Sequence, residues 1–141
     1  MGKKRIVKKG GEQDSGSARS ARTLKRKLES GILFVEATYN NTKVCFADEK
    51  GGVITWSSSG SLGFSGAKKG TPFAAAKVGE LIGDRALQMG VRDVSVVVTG
   101  VGAGRESAIR AFSGKGIGIV SIKDATPVPH NGPRPKKPRR V

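Results

Sequence analysis

The order of strand and helix patterns between residues 31 and 122 restricts the fold of this chain more than any other feature. Short stretches rich in β-branched and aromatic residues come first, and each is typical of a strand. They are joined by tight turns at Asn40-Asn41 and at Gly51-Gly52, a pair that tolerates a positive φ. Short links of this kind predict an antiparallel meander. The three predicted strands are 32–38, 44–47 and 53–57.

Two helix patterns alternate with two further strands in the second half of the chain. Thr71 and Pro72 predict the start of the first helix, because Thr caps unpaired amides and Pro is favoured at the first helical position. Gly90 is expected to end it. Gly79 and Gly83 share one face of this helix, which predicts the close approach of another backbone segment. A strand at 94–98, a helix at 105–113 and a strand at 117–122 are predicted next.

The predicted fold is therefore α/β, with a mixed five-stranded sheet in the order βββαβαβ and a ribonuclease-H-like three-layer architecture. The stretch 57–70 is rich in Ser and Gly and is predicted to be a loop. Composition divides the chain into three parts. These are a disordered basic N-terminal arm at 1–30, an α/β domain at 31–123 and an extended, Pro-rich basic tail at 124–141.

The charges are concentrated at the two ends of the chain, which predicts a polyanionic partner. Residues 1–30 carry a net charge of +7 and residues 123–141 carry +5, whereas the longer middle segment carries only +3. Nucleic acid and an anionic membrane surface both attract such ends. Neither end has the amphipathic apolar stripe that inserts into a membrane, and no apolar signal region follows the basic N-terminus. We therefore expect a soluble, cytoplasmic protein that binds nucleic acid.

The motifs that would indicate an enzyme are incomplete. The loop from Gly100 to Gly104 has the spacing Gly-x-Gly-x-Gly, which differs from the dinucleotide-binding pattern. Because this loop precedes a helix N-terminus and Arg105, it is interpreted as a turn that holds a phosphate of an RNA backbone. The carboxylates form no cluster suited to a two-metal nuclease. Cys45 and His130, each the only residue of its type, predict no metal site, and no cofactor is expected.

Four groups of basic residues are placed to contact phosphates. Trp56 is expected to pack in the core, and the alternative is that it presents its edge to RNA beside Ser57, Ser58 and Ser59. Few exposed aromatic side chains are expected to stack on bases. Phosphate contacts and RNA shape should therefore dominate over base reading. The four groups are the arm with Lys25, Arg26 and Lys27; the pair Lys68 and Lys69; Arg105; and the tail residues Arg134, Lys136, Lys137, Arg139 and Arg140.

Longer runs of specific sequence lie in the same segments. They are Gly31-Ile32-Leu33 to Asn40-Asn41-Thr42, Ile54-Thr55-Trp56-Ser57-Ser58, Gly63-Phe64, Thr71-Pro72-Phe73-Ala74-Ala75, Gly104-Arg105-Glu106-Ser107-Ala108-Ile109-Arg110-Ala111 and Asp124-Ala125-Thr126-Pro127-Val128-Pro129-His130-Asn131-Gly132. These runs closely resemble the universal small-subunit ribosomal protein S-eleven family, in its bacterial form. The resemblance extends in order over residues 31–141.

The resemblance implies a structural, non-enzymatic protein of the small ribosomal subunit. It implies a place on the platform, where rRNA helices of the central domain are bridged and the cleft for the exiting mRNA and its Shine-Dalgarno pairing forms. The implied partners are proteins S-six, S-seven, S-eighteen and S-twenty-one and initiation factor three, in a cytoplasmic or an organellar ribosome. The family's RNA-facing motifs fall on Asn40, Asn41, Thr42, Ser57, Ser58, Lys68, Lys69, Gly104, Arg105 and the run from His130 to Arg140.

Three further interpretations follow from the sequence. Asn131-Gly132 is a pair that can cyclise to isoaspartate, as occurs in the family. A nuclease-like enzyme built on the same sheet remains an alternative function, and a clustered metal site would favour it. A free nucleic-acid chaperone acting through its arms is the other alternative, and it would show no preference for folded rRNA.

Overall fold

A computed structural model describes residues 27–140 of the chain. In this part, five strands and two α-helices follow one another in the predicted order, and most boundaries lie within two residues of the predicted ones. A 3-10 helix at Gly66–Gly70 lies within the segment that was predicted to be a loop. The elements are β1 (Ser30–Ala37), β2 (Thr42–Ala47), β3 (Val53–Ser58), α1 (Pro72–Gln88), β4 (Asp93–Thr99), α2 (Gly104–Ser113) and β5 (Gly118–Asp124).

The five strands form one mixed sheet in the spatial order β3-β2-β1-β4-β5. The first three strands pair antiparallel, with Phe34 opposite Cys45 and Cys45 opposite Trp56. β4 pairs parallel to β1 and to β5. The α/β class and the mixed five-stranded sheet are therefore confirmed.

Both helices cover the same face of the sheet. Residues 33, 35 and 37 of β1 are buried, whereas 34 and 36 are exposed. Buried side chains of α1 and α2 join those of the strands in one apolar core, and the two helices also pack on each other. The part of the chain described here thus has two layers and one open sheet face. The ribonuclease-H-like, three-layer label remains a prediction.

Local signals fix α1 as expected. The Thr71 hydroxyl accepts a hydrogen bond from the Ala74 amide, and Gly90 follows the helix with a φ of +84°. A Cβ on Gly79 would overlap the backbone carbonyl oxygen of Ala108 in α2. The predicted close approach at this helix face is therefore confirmed, and the second backbone is that of α2.

The expectation that Trp56 packs in the core is wrong. Its side chain is 55% exposed on the open face, whereas Thr55 and Ser57 on either side are buried beneath the helices. Arg85 of α1 donates a hydrogen bond to the Thr55 hydroxyl at 2.9 Å, and Ser57 bonds the Ser61 hydroxyl at 3.0 Å. Because these polar partners satisfy the buried hydroxyls, the strand turns its aromatic residue outward.

The chain changes character close to the predicted domain limits. Leu28 is partly buried against the core and β1 already begins at Ser30. At the other end β5 reaches Asp124, after which residues 125–140 form no helix or strand and are almost all exposed. The boundaries at residues 30 and 123 stay predictions.

Candidate nucleic-acid interface

The predicted contact residues between Asn40 and Arg105 lie at one end of the sheet. The parallel strands β1, β4 and β5 end there, at Ala37, Thr99 and Asp124, and the antiparallel partners place the start of β2 and the end of β3 beside them. We call this the carboxyl edge. It carries the turn at 38–41, the loop at 100–103, the 3-10 helix and the start of the tail.

The turn at 38–41 is held by its own hydrogen bonds. The Thr38 amide donates to the Asn41 carbonyl at 2.8 Å, and the Asn41 amide donates to the Thr38 hydroxyl at 3.1 Å. A Cβ on Gly70 would overlap the Tyr39 carbonyl, so the end of the 3-10 helix lies directly against this turn. The turn with Asn40 and the helix with Lys68 and Lys69 therefore form one continuous surface.

The glycines of the loop before α2 allow its backbone to pack closely on the end of β1. Cβ atoms at Gly100 and Gly102 would overlap the backbone at Ala37 and Thr38, and the Gly102 amide donates to the Ala37 carbonyl at 2.8 Å. Gly104 is buried against the Thr42 hydroxyl. These contacts account for the glycines through the close crossing of the loop over the end of β1. Gly104 itself is buried, whereas Val101 and Ala103 of the loop are exposed, and the phosphate-binding turn stays a prediction.

Arg105 fastens this loop to the end of β5. Its guanidinium donates to the Gly100 carbonyl at 2.7 Å and to the Asp124 carboxylate at 2.6 Å. Hydrogen bonds from the Thr126 side chain, from Arg105 and from the Thr126 amide hold the pKa of Asp124 well below its ordinary value. The carboxylate therefore stays charged at neutral pH and ties the first residues of the tail to the carboxyl edge.

The predicted contact residues differ in how much of their surface is available. Thr42 and Ser57 are buried, and the Ser58 amide is occupied by the Ser61 hydroxyl at 2.9 Å. Asn40 and Lys68 are exposed, while Asn41, Ser58, Lys69 and Arg105 are half-buried. Tail residues His130, Asn131, Arg134, Lys136, Lys137, Arg139 and Arg140 are all exposed.

The arm leaves the domain from the opposite edge. Lys27 lies beside the end of α1 and the start of β4, where it shares a cavity with Gln88 and Arg92. The structure therefore separates Lys27 from the predicted contact residues at the carboxyl edge. Lys25, Arg26 and the rest of the arm up to residue 26 lie outside the described residues.

The sequence reasoning missed three exposed side chains, those of Tyr39, Phe73 and Lys43. Tyr39 is 79% exposed at the tip of the first turn, and Phe73 is 64% exposed at the start of α1. Together with Trp56, they correct the expectation that few aromatic residues face solvent. Lys43 is exposed on the open sheet face. Its place in a strand between Thr42 and Val44, whose side chains are buried on the other face, is the pattern that indicates this exposure.

The described residues contain neither a group suited to hold a metal ion nor a helix that could span a membrane. Within residues 27–140, no three His, Cys, Asp or Glu side chains are grouped closely enough to hold a metal ion. No helix in the same part of the chain has the length and apolarity needed to cross a membrane. Burial raises the pKa of the Cys45 thiol, although Lys43 opposes this effect.

Together, the fold and the edge define a class of protein. A basic α/β domain whose exposed Asn and Lys residues share one sheet edge with an unpacked basic tail is suited to bind a structured polyanion, and above all folded RNA.

Comparison with known proteins gives the family. The family model for Ribosomal protein S11 matches residues 31–140. The chain is 53% identical over 117 residues to a "Small ribosomal subunit protein uS11" of Rippkaea orientalis, covering 83% of this chain and 90% of the relative. It is 53% identical over 118 residues to the protein of the same name from Gloeobacter violaceus, covering 84% and 91%. The chain belongs to the Ribosomal protein S11 family.

Membership confirms the main predictions about function. The protein is a structural, non-enzymatic constituent of the small ribosomal subunit in the cytoplasm and takes part in translation. Its partners are rRNA and ribosomal proteins, and RNA binding is general for the family. The nuclease alternative is thereby overturned.

Proposed function

We propose that the protein binds and bridges rRNA helices of the platform, in the central domain of the small subunit. It thereby helps to form the cleft for the exiting mRNA and its Shine-Dalgarno pairing. The observation that carries the proposal is the placement of the two basic ends. The tail starts at the carboxyl edge and Lys27 lies at the opposite edge, separated by the length of β1.

The separation leaves room for two RNA segments. Ser30–Ala37 spans eight residues, which at about 3.3 Å per residue places the two edges roughly 23 Å apart. A single phosphate cannot contact both edges across this distance. Two RNA segments held at opposite edges satisfy both basic groups, and this is what bridging requires.

At the carboxyl edge, exposed and buried residues have different proposed roles. Asn40, Lys68 and Lys69 contact phosphates or sugars directly, and the tail from His130 to Arg140 follows the RNA away from the domain. Thr42, Ser57 and Gly104 shape the surface from beneath. Arg105 holds the loop and the tail in place and offers its remaining donors to RNA. At the opposite edge the proposed contacts are Lys25, Arg26 and Lys27.

Protein contacts on the platform are proposed from the resemblance. They are to proteins S-six, S-seven, S-eighteen and S-twenty-one and to initiation factor three, with mRNA nearby. Exposed apolar side chains among the described residues, such as Phe73 and Val101, offer surface for protein contacts beside the RNA.

Reconstitution of the small subunit tests this function. Subunits assembled with and without the full chain are probed with hydroxyl radicals, and we expect protection of two separated segments of the central domain. Lys68→Ala with Lys69→Ala should remove protection from one segment only. The matched control is Lys77→Ala with Arg110→Ala, which removes the same charge from exposed helix positions. Protection of a single segment, or uniform protection along the rRNA, would contradict bridging and favour a free chaperone.

A further inference from the structure

A groove on the open face of the sheet adjoins the carboxyl edge. Its volume is about 410 Å³, within the range of roughly 300–1,000 Å³ that is usual for small-ligand sites. Neither the helix layer nor any other described residue covers it. The lining residues are Asn41, Lys43, Cys45, Val53, Trp56 and Ser58.

The groove combines an aromatic wall with a positive charge. Trp56 is 55% exposed and Val53 is 62% exposed, although both are large apolar side chains. Across the sheet, Cys45 lies opposite Trp56 and Phe34 lies opposite Cys45, so the aromatic surface continues towards β1. Lys43, two residue pairs nearer to the carboxyl edge and on the same face, places an ammonium group beside it.

One residue that lines the groove carries an unpaired polar atom. The side-chain oxygen of Asn41 is buried and has no hydrogen-bond partner. The backbone of Asn41 closes the turn with Thr38, but its side chain takes no part in those bonds. An unsatisfied buried carbonyl is costly, and a ligand N–H donor in the groove would relieve this cost once the amide rotates.

We propose that this groove takes one unpaired nucleobase of the bound RNA, stacked on the indole of Trp56. The amide of Asn41 pairs with the edge of the base, and Lys43 contacts the adjacent phosphate. Base stacking on aromatic side chains of a sheet is an established mode of RNA recognition. The inference rests on the proposed RNA binding and adds a base-reading site to an interface that otherwise contacts phosphates.

Continuity with the edge supports RNA over a protein as the occupant. Ser58 lines the groove, and both its hydroxyl and the side chain of Lys69 approach Gly60. A strand of RNA on Lys68 and Lys69 therefore passes the mouth of the groove. Lys43 is on the same path and matches the negative charge of the backbone.

The test uses the fluorescence of Trp56, the single tryptophan of the chain. The full chain is titrated with a folded central-domain rRNA fragment, and stacking should quench the indole emission. Trp56→Leu should weaken binding about 5- to 150-fold, the equivalent of about 1–3 kcal/mol per stacked base. The salt dependence should not change, because no charge is lost. Trp56→Phe should restore most of the affinity, and Asn41→Ala should weaken binding without unfolding the protein.

Phe73→Leu serves as the matched control. Phe73 is 64% exposed, somewhat more than Trp56, but lies outside the groove, packed edge-on against Phe64 at 6.1 Å between ring centroids. This variant should bind the fragment as the unchanged chain does. Thermal denaturation of each variant separates a folding defect from a binding defect.

The outcomes distinguish the groove from the wider function. If the chain prefers the folded fragment but Trp56→Leu binds equally well and the emission is unchanged, the groove proposal is wrong and the rRNA function stands. If Trp56→Leu binds RNA normally but fails to enter complete subunits, the groove takes a protein, which also overturns the proposal. If the chain has no preference for folded rRNA, the proposed function itself fails.

Discussion

Replacing Gly79 by alanine tests how closely the two helices must approach to cover the sheet. A Cβ at this position would overlap the carbonyl oxygen of Ala108 and lie 3.1 Å from its carbonyl carbon and 3.2 Å from its Cα. These atoms belong to the backbone of α2 and cannot rotate away. The helices must therefore move apart, which disturbs the core that both of them share with the sheet.

The size of the effect follows from two opposing terms. Overpacking a core costs about 1–3 kcal/mol, whereas alanine gains about 0.8–1.0 kcal/mol over glycine inside a helix. Because the obstacle is backbone, we expect the upper part of the overpacking range. The predicted net loss of unfolding free energy for Gly79→Ala is about 1–2 kcal/mol.

Gly83→Ala is the matched control on the same helix face. Its Cβ would meet Cγ of Lys115 at 2.8 Å, and the nearest backbone atom is the Phe112 carbonyl oxygen at 3.5 Å. The Lys115 side chain can move, at the expense of an exposed ion pair with Asp84 worth about 0–1 kcal/mol. Helix propensity then offsets the loss, so the net change should be about zero to a gain of 1 kcal/mol.

Urea denaturation of the full chain, followed by far-UV circular dichroism, measures both variants. A lower midpoint with an unchanged slope for Gly79→Ala, and no lower midpoint for Gly83→Ala, is the expected result. Equal effects of the two substitutions, or a Gly79→Ala variant as stable as the unchanged chain, would refute the reasoning from backbone contact.

Three further predictions concern the carboxyl edge and the tail. Lys68→Ala with Lys69→Ala should reduce the log-log salt slope of rRNA binding by about 1.4–1.8, and an unchanged slope would mean that neither lysine contacts a phosphate. Because its hydrogen bonds depress the folded-state pKa of Asp124, its stabilisation is present above an unfolded pKa of about 3.9 and is lost as pH falls below that value. Between neutral and acid pH, the unfolding free energy of Asp124→Asn should therefore fall less than that of the unchanged chain. Arg105→Ala should behave in the same way. Urea denaturation at a series of pH values measures this, and identical profiles for variants and unchanged chain would contradict the role of the ion pair. Asn131, exposed with a φ of +52°, is proposed to form isoaspartate on ageing, and a methyltransferase assay that finds only asparagine would disprove it.

Local signals in the sequence were sufficient for the elements and for one packing contact. Thr71, Pro72 and Gly90 determine the limits of α1 through capping and a positive φ. The spacing of Gly79 and Gly83 on one helix face was enough to predict close backbone approach. These features act within a few residues or along one helix, and therefore appear directly in the sequence.

Features that depend on tertiary partners were predicted less well. A tryptophan in a strand usually packs in the core, and Trp56 was expected there for that reason. Arg85, distant in sequence, instead satisfies Thr55 on the helix side, and Trp56 faces outward. The close crossing of the loop before α2 over Ala37 was not predicted from its glycines, and the phosphate-binding turn stays a prediction. The 3-10 helix at Gly66–Gly70 has no buried residue and thus gives no apolar period to recognise.

Recognition of structured rRNA by the carboxyl edge and the tail is measured by the salt dependence of binding to a folded central-domain rRNA fragment. The full chain is compared with a chain ending at Asp124, and the folded fragment with a scrambled RNA of the same length. We expect preference for the folded fragment, and a log-log slope that falls by several units on truncation, at about 0.7–0.9 per lost phosphate contact. Equal binding to folded and scrambled RNA would contradict the claim that this edge and tail recognise structured rRNA.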